Sequence, residues 1–425
     1  MEKEYKKIVL ENGVRVILVP RKESLGSAVL VLVEAGSEYE TKNINGLSHF
    51  SEHMMFKGTK NRPKPSIISS EMESLGAVYN AFTSTERTGY WAEVQSPKFD
   101  QAVDIVFDMY LNPILDPEEI EKERGVIIQE LNRYHDNPQR HIYDLFGKVL
   151  YGDQPAGWEI IGPKENILRF KRDDFVNYRN KYYTGPSTVI VVAGNFNEKK
   201  IIKRIRETFG GLSRSKIGKP RTLESQKSPQ IMVDYKKINQ TNLAIGLRAY
   251  DVFDKRRFAL DLLGEILGGG LSSRLYIAVR EKLGAAYDIS AAADNSSDHG
   301  VLEIVAGIEN ERIDKVIKTI LVESKLLAEK LVSEKELQKA KDSFVGPVAL
   351  SMQRSFQLAS FYGSAEIMFG EPENFSWLAK KYQAVTKEEI KAVARDILKN
   401  EKLNLAMIGP YKEKDKSRLK KIFKF

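Results

Sequence analysis

The chain contains no cysteine. That absence removes disulfide bridges, cysteine-ligated zinc and thiol nucleophiles together, and a reducing cytoplasm is its simplest setting. Histidine is nearly as scarce, with five in 425 residues. No apolar run approaches the roughly 18 residues of a membrane helix, and the best stretches, such as residues 187–193, are strand-sized. The first residues, Met1-Glu-Lys-Glu-Tyr-Lys-Lys, carry acids and no apolar core, so they read as neither a secretory nor a transit peptide. A cytoplasmic protein without membrane contact is expected. A large excess of one charge is also missing. The 66 Lys and Arg against 58 Asp and Glu leave +8, interleaved along the chain. Basic pairs such as Lys199-Lys200 are short and lack aromatic neighbours, so no nucleic-acid partner is expected. The tail 412–424 reads as a solvated helix end.

What is present suits a globular chain. Apolar residues make up 42% and charged residues 29%, enough to bury a sizeable core, and the length suggests two or three domains. Two halves look alike. In the first, extended residues 28–34 precede a helical pattern at 47–56, then an extended 81–94 and an acid-rich helix at 116–131. In the second, 242–247 is extended, 258–267 helical, 289–308 holds two strand-like runs, and 333–341 is an acid-rich helix. The strand at 187–194 matches 402–409 at an offset of 215, and Asp116-Pro-Glu-Glu-Ile-Glu-Lys matches Ser333-Glu-Lys-Glu-Leu-Gln-Lys at 217. Near-equal offsets close to half the chain point to a tandem duplication. The expected domains are residues 1–212 and 230–425, joined by a Gly/Ser/Lys/Pro-rich linker at 213–229. Strands come in hairpin-like pairs between helices, which predicts an α+β class. Each domain should hold a largely antiparallel sheet with helices packed on one face.

His49-Phe-Ser-Glu52-His53 lies inside the helical pattern. At about 100° per residue, positions 49, 52 and 53 share one face. Two imidazoles one turn apart can grip a metal ion while a carboxylate points at the same place. Catalytic zinc takes three protein ligands and leaves one position open. Its bound water is acidified, and a neighbouring carboxylate can take the proton. H-x-x-E-H is the inverted zinc-protease motif. Candidates for a third ligand stand in Glu123-Arg-Gly-Val-Ile-Ile-Gln-Glu130, whose two glutamates, seven apart, share a helix face. The other histidines, His135, His141 and His299, lack ligand spacing and read as surface or loop residues.

Seventy-six residues separate His53 from Glu130, and with that spacing the chain resembles the pitrilysin and mitochondrial processing peptidase family of zinc metallopeptidases. Further matches are 46–59 around the motif, Asn80-Ala-Phe-Thr83, Tyr182-Tyr-Thr-Gly-Pro186, Gly268-Gly-Gly-Leu-Ser-Ser-Arg-Leu-Tyr276, and Arg280 with Tyr287. The resemblance covers essentially the whole chain. It implies one zinc per chain held by His49, His53 and Glu130, with Glu52 as general base. Glu123 would orient a ligand histidine. Asn80, Ala81, Phe82 and Thr83 would form the sheet edge that takes the substrate as an added strand. Arg280 and Tyr287 would hold substrate carbonyls and the oxyanion. In the second half no histidine stands in the corresponding helix, and Pro347 aligns with Glu130, so that half should be metal-free.

The activity so implied is a zinc endopeptidase acting on peptides or unfolded segments inside a chamber. A homodimer sharing its active sites is expected, since both functional sets occur in a chain the length of one half of the family's long members. A silent partner subunit or a peptide-binding chaperone of the same fold is the alternative. Position 51, usually a bulky apolar residue in the family, is Ser51, which costs little packing if it faces a partner helix. The Gly268–Gly270 stretch is short, so presequence specificity is not carried over.

Overall fold

The structure, a computed structural model, describes residues 4–425. Eleven strands form two sheets among the described residues. The first sheet contains β1 (Lys6–Val9), β2 (Arg15–Pro20), β3 (Gly26–Val33), β4 (Val78–Thr83), β5 (Thr88–Gln95) and β6 (Thr188–Gly194), in the order β1-β2-β6-β3-β5-β4. The second contains β7 (Gln230–Tyr235), β8 (Gln240–Arg248), β9 (Ala286–Asn295), β10 (Gly300–Glu309) and β11 (Leu403–Gly409), in the order β7-β11-β8-β10-β9. Only β2–β6 and β7–β11 pair in parallel. The orders correspond strand for strand, with β6 matching β11 and β4 matching β9, apart from the added edge strand β1. This is the duplication that the two sequence offsets indicated, and the α+β class stands.

Two compact units contain these sheets, and neither is continuous in sequence. One comprises residues up to Asn132, Trp158–Pro220 and Ala349–Phe375; the other comprises Arg133–Gly157, Arg221–Val348 and Ser376–Phe425. The contiguous ranges expected from the sequence therefore do not coincide with the units. In the first unit the helix Phe99–Leu111 lies on the β3 face of Val31 and Val33, where Tyr110 donates to or accepts from Thr188 at 2.8 Å. The opposite face, with Leu30, Leu32, Val189 and Val191, is covered by the late helix Ser355–Phe369. Gly363 permits that approach, since a Cβ there would come 2.7 Å from Leu32. In the second unit the helices Arg257–Gly268, Ile313–Glu329 and Lys387–Ile397 pack on Leu243, Ile245 and Ile304. The early helix Pro138–Tyr151 covers Ala244, Val301 and Ala406 on the other face. Each sheet thus has its main helical layer on one face and a further helix on the other. The reason is burial, because central strands such as β6 are buried at every position and apolar at nearly all of them, and cannot leave one side to water.

Residues 210–229 contain no helix or strand, but Lys219 is drawn in by ion pairs to Glu38 and to Glu86, the latter at 2.9 Å. The tail forms a short helix, Lys416–Ile422, whose Leu419 is buried together with Phe423, so it is more than a solvated end. Among the described residues no helix is long and apolar enough to cross a membrane.

Candidate metal centre

The motif helix runs from Leu47 to Met54. Its start is set by Gly46 at φ +98°, a conformation in which a Cβ would meet the Ile161 carbonyl at 2.5 Å. A carboxylate then caps it. Glu40 is fully buried and accepts from the Ser48 N–H and hydroxyl at 2.6 Å each, from the Gly46 N–H at 2.9 Å and from Asn45 at 3.0 Å. An anion suits the positive end of a helix, yet burial pushes the Glu40 carboxyl up to about 7 against the pull of the Ser48 bonds.

The second glutamate-bearing element is the helix Pro117–Asp136. Asp116 caps it by accepting from the N–H groups of Glu118 and Glu119, and Pro117 fits the first turn, where no donor is lost. Glu123 and Glu130 share the face that meets the motif helix.

The two helices bring their polar groups together. Oε2 of Glu130 lies 3.8 Å from Nε2 of His49 and 3.6 Å from Nε2 of His53. Ligand atoms of all three residues fall within 4.8 Å of one another. Donors about 2.0–2.1 Å from a tetrahedral zinc would stand roughly 3.4 Å apart, so this set fits such an ion. His53 presents its other nitrogen, Nδ1, to Glu123 Oε1 at 2.8 Å, while Lys57 pairs with Glu123 Oε2 at 2.5 Å. That places Glu123 behind the site, fixing which ring nitrogen of His53 faces forward. Nδ1 of His49, in contrast, is buried with no hydrogen-bond partner. Glu52 receives the Thr83 hydroxyl at 2.5 Å on Oε2.

Electrostatics divide the two histidines. Burial, aided by the neighbouring His53, pulls the His49 pKa well down and keeps the ring neutral, the form a metal needs. Burial acts the same way on His53, but the Glu123 hydrogen bond and three nearby carboxylates raise it overall. Glu52 is raised, chiefly by burial. Glu123 is lowered, because its bonds to His53 and Lys57 outweigh the cost of burial.

Thr83 ends β4, the edge strand, which pairs with β5 on one side only among the described residues. Asn80 is exposed and accepts from the Ala81 N–H at 2.9 Å. Ala81 is nearly buried, and Phe82 lies over Gly89 towards the core, so those two offer main chain rather than side chain. In the second unit, Arg280 and Tyr287 are brought together, with the guanidinium carbon 5.1 Å from the Tyr287 ring centre. Pro347 sits inside the helix Glu334–Ser351, and the helix Arg257–Gly268 carries no histidine.

Three details depart from expectation. Ser51 is fully buried and its hydroxyl has no partner, so it is not a costless replacement. His299 is buried and paired with Asp298 at 2.8 Å. His135 and His141 are half-buried, with ring centres 4.5 Å apart despite their spacing in sequence. Glu40, Lys57 and the bond from Thr83 to Glu52 escaped the sequence reading. Only Gly46, just before the motif helix, hinted at a specially built helix start.

Comparison with known proteins places these features in a family. Residues 15–164 match the model of the insulinase peptidases, family M16, and residues 169–344 match the M16 inactive domain. Most of the second match falls on the half without the motif. A Bacillus subtilis protein named an uncharacterized zinc protease is 32% identical over 95% of this chain and 98% of its own length. One from Streptomyces coelicolor is 29% identical over 97% and 91%. A protease structure from Helicobacter pylori superposes with a TM-score of 0.88 at 22% identity, covering 96% of this chain and 99% of that one. A Pseudomonas fluorescens structure described as an M16 inactive domain gives 0.86 at 19% identity, with 96% and 99% covered.

Proposed function

The chain belongs to the M16 insulinase family of peptidases, and from that membership we propose that it is a zinc-dependent endopeptidase. Its substrates would be peptides or unfolded polypeptide segments. The observation that carries the reading is the convergence of His49, His53 and Glu130 beside a half-buried Glu52. Zinc held by those three residues would acidify a water molecule and polarise a peptide carbonyl. Glu52, its carboxyl lifted by burial, takes the proton of the attacking water and returns it to the leaving amine. Thr83 fixes the position of that carboxylate and joins it to the edge strand. Glu123 holds His53 in one tautomer.

The free edge of β4 would receive the substrate as an added strand. Main-chain pairing of this kind needs an extended backbone, which favours unfolded segments over folded domains and tolerates many sequences. In the other unit, Arg280 and Tyr287 would hold substrate carbonyls and the developing oxyanion. Because one chain carries both sets, we propose a homodimer in which each subunit serves the site of the other.

Metal analysis and a quenched peptide test the central claim. The purified protein should bind about one zinc per chain and cleave the peptide. Glu52→Gln should keep the zinc and lose hydrolysis by about 10²–10⁴-fold. Near-normal turnover in Glu52→Gln would remove it as the base. Zinc-free protein that binds peptide without cutting would instead favour the chaperone or silent-subunit reading. For the dimer, Glu52→Gln and Arg280→Ala proteins are mixed under subunit exchange. Recovery towards a quarter of wild-type activity supports sharing, and no recovery despite confirmed exchange overturns it.

A further inference from the structure

Residues Tyr276–Lys282 form a π-helix in the second unit. Such segments are rare and occur frequently at functional sites. Here the Ala285 N–H reaches back to the Val279 carbonyl and the Gly284 N–H to that of Arg280, both at 3.1 Å. Val279 is wholly buried and anchors the turn. Arg280, next in sequence, has its guanidinium carbon 4.9 Å from the Tyr276 ring centre and 5.1 Å from that of Tyr287. Tyr276 is half-buried, whereas Tyr287 is 77% exposed.

A second arginine, two residues before this segment, shows what is distinctive. Arg274 is neutralised by a two-pronged pair with Glu336, at 2.8 and 2.9 Å. Among the described residues no carboxylate pairs with Arg280. Two aromatic rings flank it instead. A ring face attracts the cation without occupying its N–H donors, so the fork stays available for an oxygen ligand. A long side chain already held in place also loses less freedom when it binds.

We propose that Tyr276 is a positioning residue which, with Tyr287, clamps the Arg280 guanidinium so that its N–H edge is ready for a peptide carbonyl or carboxylate oxygen. The inference rests on the reading that Arg280 binds substrate. Tyr276 itself needs no contact with the peptide. Its ring face is the active part, and its hydroxyl is dispensable.

The zinc-loaded full chain and a quenched peptide provide the test, with Arg280→Ala as reference. Arg280→Ala should lower kcat/KM by a hundredfold or more, roughly the loss of a single well-placed donor. Tyr276→Leu should lower it about tenfold, mostly through KM, with zinc content unchanged. Tyr276→Phe should remain within twofold of wild type. If Arg280→Ala changes nothing, the parent reading fails. If Arg280→Ala is crippled while Tyr276→Leu matches wild type, the clamp alone fails. Equal losses in the leucine and phenylalanine variants would also overturn it. A readout on the unaltered chain covers the case of a misfolded variant. The Nε–H resonance of Arg280, identified by its loss in Arg280→Lys, should be displaced upfield by the two rings. An undisplaced resonance would overturn the clamp.

Discussion

In the first unit the helix Leu47–Met54 meets the edge strand through polar groups, with Thr83 of β4 bonded to Glu52 and two histidines beside it. In the second, the corresponding helix Arg257–Gly268 lies directly on the corresponding strand, β9. A Cβ at Gly264 would stand 3.2 Å from the Ala292 backbone, and one at Gly268 only 2.3 Å from the Ala291 nitrogen. Leu260, Leu262, Leu263 and Leu267 are buried along that helix. The same architecture thus places polar side chains between helix and edge strand in one unit and packs the helix directly on the strand in the other. Glycine and leucine make the close packing; a left-handed glycine and a capping glutamate hold the other helix in its position. The second unit therefore differs from the first in packing at this helix as well as in the residues the helix carries.

The largest expected effect tests whether ligands alone make the difference. Glu130→Gln should weaken zinc binding by about a hundredfold or more, measured by chelator competition. Pro347→Glu, which places a carboxylate at the matching position of the other unit, should gain no zinc. A second bound zinc in that variant would break the comparison, because the close-packed helix would then prove no barrier.

Packing is tested next. Gly268→Val should lower unfolding stability by about 3 kcal/mol in urea titrations, since backbone rather than a pliant side chain stands in the way. Zinc content at low temperature should be unchanged. A neutral effect would mean that the helix of the second unit is not held tightly on β9.

Each unit also contains a half-buried carboxyl with a raised pKa, but only Glu52 stands beside a candidate set of metal ligands. Glu303 on β10 is pushed up to about 7 by burial and by Asp294, and Tyr143 also lies within its field. Its unfolded value is near 4.5, so its contribution is fully present below that pH and is lost as pH rises towards 7. Glu303→Gln should remove that slope and stabilise the protein by about 2 kcal/mol at pH 8. Parallel pH–stability curves for variant and wild type would assign the slope elsewhere. The smallest effect concerns Ser51. Replacing its unpartnered buried hydroxyl, Ser51→Ala, should stabilise the first unit by about 1 kcal/mol, seen as a small rise in melting temperature.

Much of this was legible in the chain itself. His49, Glu52 and His53 lie within five residues, where helical spacing alone fixes a common face. Glu123 and Glu130 follow by the same rule, and the hairpin β9–β10 was visible as two strand-like runs, whereas β4–β5 read as one extended stretch at 81–94. What escaped notice depends on contacts distant in sequence. Nothing local marks Glu40 as the cap of a helix that begins seven residues later. Arg280 and Tyr276 are ordinary i, i+4 helical neighbours, but the second ring, Tyr287, comes from the strand β9 and reaches Arg280 only through the fold. His299 looked like a loop residue because its burial comes from a fold that local pattern cannot convey. The helices at 138–151 and 355–369 were not singled out in the sequence, and no local pattern says which sheet either of them covers.

That last arrangement bears on how the protein is made. A ribosome that has released the first 220 residues has delivered every strand of the first sheet, but none of the helix Ser355–Phe369. Leu30, Leu32, Val189 and Val191 must wait bare-faced while more than a hundred further residues are translated. The nascent chain therefore cannot mature as one finished bead followed by another. Completion of the unit that holds the candidate metal centre is deferred nearly to the end of synthesis, so a prematurely terminated product would display a sticky sheet instead of a finished site.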